Sequence, residues 1–187
     1  MKNLIIILLF LNPICIFSQK LFTNEEFKTI SDNGRKWHKD IKICLHGKYS
    51  KQDSLDVVEN IKIFKPLIKP ININIVKNKD SANVVIYFLS DTEFGNIFPD
   101  EKNSVKTSIG ITFTYGVTKI TKSIIHIDIV ENKEFKSFSN TIRHEMFHML
   151  GFSHYDKENN SILDHDHYLT EKDIQMIKYL YSEKFKV

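Results

Sequence analysis

Three histidines and one glutamate stand at spacings that suit a metal-dependent hydrolase. His144 and Glu145 are followed by His148, Gly151 and His154. In a helix, positions i and i+4 lie about 40° apart around the axis, so His144 and His148 can share one ion. Zinc accepts histidine nitrogens, and catalytic zinc sites commonly have three protein ligands and one open position. The spacing therefore predicts one Zn²⁺ per chain, bound by His144, His148 and His154.

Glu145 and Gly151 have separate parts in this prediction. Glu145 lies about 100° around the helix from His144. From there its carboxylate can approach a water at the metal without binding the metal, as a general base requires. Gly151 can end the helix with a positive φ, after which the chain turns and His154 reaches the ion. Glu145 is therefore the candidate catalytic residue.

The elements around the motif have to hold this helix in place. Apolar runs predict strands near 40–46, 71–76, 83–89, 111–115 and 123–130. Capping residues and helical spacing predict helices opening after Thr23 and over 52–68, 135–150 and 170–181. We expect central strands at 71–76 and 83–89, a surface loop over 91–108, and a buried stripe on the second helix made of Leu55, Val58, Ile61, Phe64 and Ile68. This order predicts an α/β fold, a twisted mixed β-sheet packed with helices.

At its histidine motif the chain resembles the metzincin zinc peptidases, whose pattern HExxHxxGxxH is matched by His144, Glu145, His148, Gly151 and His154. The resemblance implies a zinc-binding helix, then a tight Met-turn beneath the metal and a C-terminal helix. Segment 160–164 stands at the Met-turn position, and 169–181 resembles the ending of matrixins. The resemblance also implies that peptides align on an antiparallel edge strand, for which 111–115 is the candidate.

The chain departs from that family in several places. Leu163 stands where the family has methionine, an apolar exchange of similar volume that costs little if the role is steric. Tyr155 follows the third histidine, where astacins have glutamate and matrixins serine. His165 stands where some metzincins have a tyrosine that contacts the metal, and an exposed loop histidine is the alternative. Asp164, His165, Asp166 and His167 form either a second metal site or a solvated loop.

The N-terminal residues 1–18 resemble a secretory signal peptide. Lys2 precedes the apolar run 4–11, which is shorter than the roughly 20 residues of a membrane-spanning helix. Lipid anchoring at Cys15 is the alternative, and Ile14 disfavours it because lipoprotein processing requires a small residue there. We expect residues 19–187 to form a single metalloprotease-like catalytic domain, secreted or periplasmic, in which Cys44 is a small buried hydrophobe.

The composition is that of an ordinary globular protein. Lys and Arg number 26 against 23 Asp and Glu, which gives a net charge of +3, and 42% of the residues are hydrophobic. The charges are spread without long blocks of one sign, so we expect neither nucleic-acid binding nor a polybasic membrane anchor. The sequence predicts a monomeric, secreted zinc endopeptidase acting on proteins or peptides. A non-peptidase zinc hydrolase or a non-catalytic zinc-binding module is the alternative, and the latter would need no general base such as Glu145.

Overall fold

The computed structural model describes residues 21–31, 34–106, 108–130, 138–154, 162, 169–183 and 185. Several sequence predictions fall outside these residues: the signal peptide 1–18 with Cys15, most of the Met-turn segment including Leu163, Tyr155, and the pair His165 and His167. These predictions stay predictions.

Five strands and five α-helices are found in the described residues. They occur in the order α1 (Asn24–Ile30), β1 (Ile41–Gly47), α2 (Lys51–Phe64), β2 (Ile73–Ile75), β3 (Val84–Leu89), α3 (Asp91–Ile97), β4 (Gly110–Tyr115), β5 (Lys122–Asp128), α4 (Ser139–Met149) and α5 (Glu171–Leu180). Capping boxes begin α1, α2, α3 and α5, each with a Ser or Thr cap and an acidic residue three positions later. None of the helices in the described part of the chain is long and apolar enough to cross a membrane.

The strands form one mixed sheet in the order β2-β1-β3-β5-β4. Neighbouring strands from β2 to β5 are parallel, and β4 runs antiparallel to β5 at one edge. The predicted α/β fold with a mixed sheet is confirmed, as is the antiparallel edge position of 111–115. The prediction of a central strand at 71–76 is wrong, because β2 is a three-residue strand at the opposite edge. Of its two isoleucines, Ile73 is buried and Ile75 is 39% exposed, which suits a short strand at a sheet edge.

The sheet separates two hydrophobic cores. Successive residues of β3 point to opposite faces, so Ile86 and Phe88 enter the larger core while Tyr87 and Leu89 enter the smaller one. The larger core lies beneath α1, α2, α4 and α5, and the smaller one lies beneath α3. All six residues of β3 are buried, as its nearly continuous apolar run predicts.

The second helix is shorter than expected, and its predicted apolar stripe is confirmed only in part. It ends at Phe64, two residues before Pro66, because a proline removes a backbone donor and clashes with the preceding turn. Ile61, Phe64 and the following Ile68 are buried as predicted, whereas Leu55 is 45% exposed. The buried face also carries Asn60, which donates to Ser139 O and accepts from Arg143 Nε on α4. This face therefore docks the second helix onto the motif helix through hydrogen bonds.

The expectation of a loop over 91–108 is also wrong. Residues Asp91–Ile97 form α3, and Pro99–Glu101 form a 3-10 helix. The serine and glutamate of its capping box, Ser90 and Glu93, are a helix-start signal. Phe94 anchors the helix in the smaller core. Because α3 is short and has many polar residues, its sequence shows no clear apolar periodicity that would identify its one buried side.

Candidate metal centre

Helix α4 carries the motif and ends where the sequence predicts. It begins at Ser139, later than the expected 135, and ends at Met149 with Leu150 as its C-cap. Gly151 follows with φ of 105°, and a Cβ at this position would collide with the carbonyl of Arg35. Only glycine fits this turn without strain. The chain reverses there, which brings His154 back to the histidines of the helix.

The three histidines converge through the same ring atom. Nε2 of His148 lies 3.1 Å from Nε2 of His144 and 3.2 Å from Nε2 of His154, and the third separation is 3.4 Å. Ligands about 2.0 to 2.1 Å from one ion, at tetrahedral angles, are about 3.3 to 3.4 Å apart. The three nitrogens therefore match the spacing of a shared metal, and the cluster could hold a metal ion.

Backbone carbonyls orient two of the rings. Nδ1 of His144 is 2.9 Å from Ile162 O, and Nδ1 of His148 is 2.7 Å from Phe152 O. A carbonyl only accepts, so each Nδ1 carries the proton and each Nε2 presents a lone pair to the cluster. Burial, together with the neighbouring His144, lowers the pKa of His148 to about 3 and keeps that ring neutral. Neutral imidazoles with converging lone pairs are the form that binds a cation.

The carbonyl that orients His144 is itself anchored to the last helix. Ile162 is fully buried, and its N–H donates to Oδ2 of Asp173 at 2.9 Å. The same carboxylate oxygen accepts from Thr170 N and Thr170 Oγ1 at the start of α5. Hydrogen bonds to the backbone of a single residue, Ile162, thus connect α5 with the first histidine. The predicted helix over 170–181 puts Asp173 in its first turn, but no local pattern links Asp173 to the metal centre.

Glu145 lies beside the histidines in a closed environment. Its side chain is 4% exposed, and Thr112 Oγ1 on β4 donates to its Oε2 at 2.7 Å. Burial raises the pKa of Glu145 to about 8, and the hydrogen bond from Thr112 opposes part of that rise. A cation on the three nitrogens would favour the ionised carboxylate. Glu145 is thus adjacent to His144 in the chain but does not belong to the histidine cluster.

The strand β4 approaches Glu145 at a glycine. A Cβ built on Gly110 would lie 2.9 Å from Glu145 Cγ and 2.8 Å from Thr141 Cγ2, so only a residue without a side chain lets β4 come this close to α4. Neither Gly110 nor Thr112 is identifiable from the sequence, because each contact with α4 joins residues more than 30 positions apart. The only sequence feature that pointed toward this contact was the strand predicted at 111–115.

The centre is closed on the side of the core and open toward solvent. His144 is buried, His148 is half-buried and His154 is exposed. The remaining histidines in the described residues do not join the cluster. His126 is fully buried on β5 and contacts Leu89 O at 3.0 Å, while His38 and His46 are exposed. Cys44 is buried on β1, as predicted.

Comparison with known proteins identifies a family but assigns no reaction. No curated protein matches the chain. Residues 17–187 match the family described as "Protein of unknown function (DUF2927)", and that span includes every residue of the histidine cluster, Glu145 and β4. The match covers well over half of the chain, so the protein belongs to the DUF2927 family.

Proposed function

We propose that this protein is a secreted zinc-dependent endopeptidase of the metzincin type. The observation that carries the proposal is the convergence of three Nε2 atoms within 3.1 to 3.4 Å of one another, beside a buried glutamate that is not part of the cluster. Imidazole ligands suit zinc, and an open three-histidine set is typical of catalytic zinc. A site that only stabilised the fold would have no use for Glu145.

The residues divide the work of hydrolysis between them. Zinc held by His144, His148 and His154 would polarise the scissile carbonyl and acidify a water. Glu145 accepts a proton as that water attacks the carbonyl carbon. It then passes the proton to the departing nitrogen as the C–N bond breaks. A cation on the three histidines would favour the ionised form of Glu145, which is the form that accepts a proton.

We further propose that an extended peptide binds along β4. Ile109 O accepts from Asp128 N on β5 at 2.9 Å, and main-chain groups alternate in direction along an antiparallel strand. The backbone N–H and C=O of Gly110 and of Thr112 therefore face the open edge of β4, where a peptide can add as a further strand. In this proposal residues 1–18 direct export and the remaining chain acts as a monomer.

The metal part of the proposal is tested by binding. Apo-protein titrated with Zn²⁺ in a calorimeter should take up one ion per chain. His154→Ala should weaken binding sharply because it removes one of three ligands, whereas His38→Ala, an exposed histidine away from the cluster, should bind as the parent does. Equal affinity in His154→Ala and the parent would contradict the assigned ligand set.

The catalytic part is tested with a mixed peptide library at equal zinc occupancy. Glu145→Gln should keep zinc and lose about 10² to 10⁴-fold in cleavage rate, the usual effect of removing a general acid or base. Glu59→Gln on the exposed side of α2 is the control. Unchanged cleavage by Glu145→Gln would refute the mechanism. Zinc binding without any cleavage by the parent would instead favour a non-peptidase hydrolase or a zinc-binding module.

A further inference from the structure

Thr112 makes two contacts with the same glutamate. Its Oγ1 lies 2.7 Å from Oε2 of Glu145 and 3.0 Å from the backbone O of Glu145. We propose that Thr112 is a positioning residue, which keeps the carboxyl group of Glu145 in place beside the histidine motif. This inference rests on the proposed peptidase function and adds a residue from outside the histidine motif.

A hydroxyl group suits this role because it can donate a hydrogen bond to a carboxyl oxygen. Thr112 Oγ1 lies within hydrogen-bond distance of both the side-chain Oε2 and the backbone oxygen of Glu145. The two contacts tie the carboxyl group to β4 from a side chain that is itself fixed in the strand. A serine at position 112 would retain both contacts, whereas a valine of nearly the same shape would retain neither.

Gly110 restrains the glutamate from a second direction. A Cβ at Gly110 would lie 3.0 Å from Oε1 of Glu145 and 2.9 Å from its Cγ, so the carboxyl group rests against bare backbone. The hydroxyl of Thr112 holds one carboxyl oxygen while the backbone of Gly110 bounds the other. Two positions of β4 thus confine the side chain. Rotamers that swing the carboxyl group away would lose the hydrogen bond or meet the strand.

The location of Thr112 predicts which kinetic constant it controls. The backbone N–H and C=O of Thr112 face the open edge of β4, where the proposed substrate strand would bind through main-chain atoms. Replacing the side chain leaves those main-chain donors and acceptors unchanged. A change at Thr112 should therefore alter kcat through the position of Glu145 and leave KM almost unaltered.

The experiment compares Thr112→Val and Thr112→Ser in zinc-loaded protein. Thr112→Val should lose at least about 10-fold in kcat with KM within about 3-fold of the parent, as expected for one lost hydrogen bond to a charged group. Thr112→Ser should recover kcat to within about 3-fold of the parent. Thr121→Val, which removes an exposed hydroxyl bonded to Tyr115 O, should match the parent. Undiminished kcat in Thr112→Val, or an equal loss in Thr112→Ser, would overturn the proposal.

A crystallographic measurement separates this inference from the proposed activity. In Thr112→Val the carboxyl group of Glu145 should move by more than about 1 Å, the displacement that breaks a hydrogen bond, while in Thr112→Ser it should stay in place. Gly110→Ala should displace the same group through steric contact and provides a second variant. If the parent cleaves no peptide, the peptidase proposal fails, and these structures still decide whether Thr112 holds Glu145. An unmoved carboxyl group in Thr112→Val would refute the positioning role.

Discussion

Asp173 offers a sharp test of how the fold supports the metal centre. One oxygen of this fully buried carboxylate caps α5 and also accepts a hydrogen bond from the N–H of Ile162. The carbonyl of the same residue, Ile162, orients the ring of His144. Asp173→Ala should therefore both destabilise the fold and weaken metal binding. The matched control is Asp53→Ala, because Asp53 is also a buried aspartate in a capping box but bonds within its own cap.

The two variants should differ in stability by a predictable amount. Loss of a cap costs about 1 kcal/mol, and this applies to both variants. Asp173→Ala also leaves the N–H of Ile162 buried without its acceptor, which costs about 1 to 3 kcal/mol more. For a chain of this length the extra loss should lower Tm by about 2 to 12 °C relative to Asp53→Ala. Thermal unfolding of both apo-proteins by circular dichroism measures the difference.

Metal affinity provides the second readout. Removing an outer partner of a metal ligand commonly costs about 10 to 100-fold in affinity. Asp173 acts on His144 only through the backbone of Ile162, so we expect about 10-fold weaker zinc binding in Asp173→Ala and parental affinity in Asp53→Ala. Calorimetric titration below the unfolding temperature of each variant gives both numbers. Equal affinity in the two variants would refute the connection from α5 to His144, even if their stabilities differed.

Three further predictions follow from single residues. Burial lowers the pKa of His126 below its ordinary 6.5. Below about pH 6.5 the unfolded chain therefore takes up this proton before the folded protein does, and the free energy of unfolding falls by up to about 1.4 kcal/mol per pH unit. Urea unfolding at pH 7 and pH 5 should show a smaller loss of stability in His126→Gln than in the parent or the control His38→Gln. Gly151→Ala should lower the free energy of unfolding by at least about 2 kcal/mol in urea, because alanine would have to adopt a left-handed backbone conformation with its Cβ against the carbonyl of Arg35. An unaltered urea midpoint would contradict this prediction. Zinc at 100 times its Kd should stabilise the parent by about 2.7 kcal/mol in thermal unfolding. The substitution His148→Ala should abolish this stabilisation. An equal zinc-dependent rise in Tm in His148→Ala would contradict the role of His148 as a ligand.

The motif residues were predictable because their geometry is local. The i, i+4 spacing of His144 and His148 fixes their common helix face, and Gly151 marks the turn that returns His154. The central strand β3 was equally clear, since an unbroken apolar run requires burial on both faces. These features depend on residues within about ten positions of one another.

The remaining features depended on which elements meet in space. Local pattern could not show that the polar face of α2 would dock on α4, or that the alternating run at β2 would end at a sheet edge. The contact of Thr112 with Glu145 spans 33 positions and depends on the pairing of β4 with β5. Periodicity specifies which face of an element is apolar but not its neighbour, because long-range packing selects the partner. The sequence alone therefore determined the candidate ligands and the candidate base, and only the tertiary structure decided what holds His144, His148 and Glu145 in place.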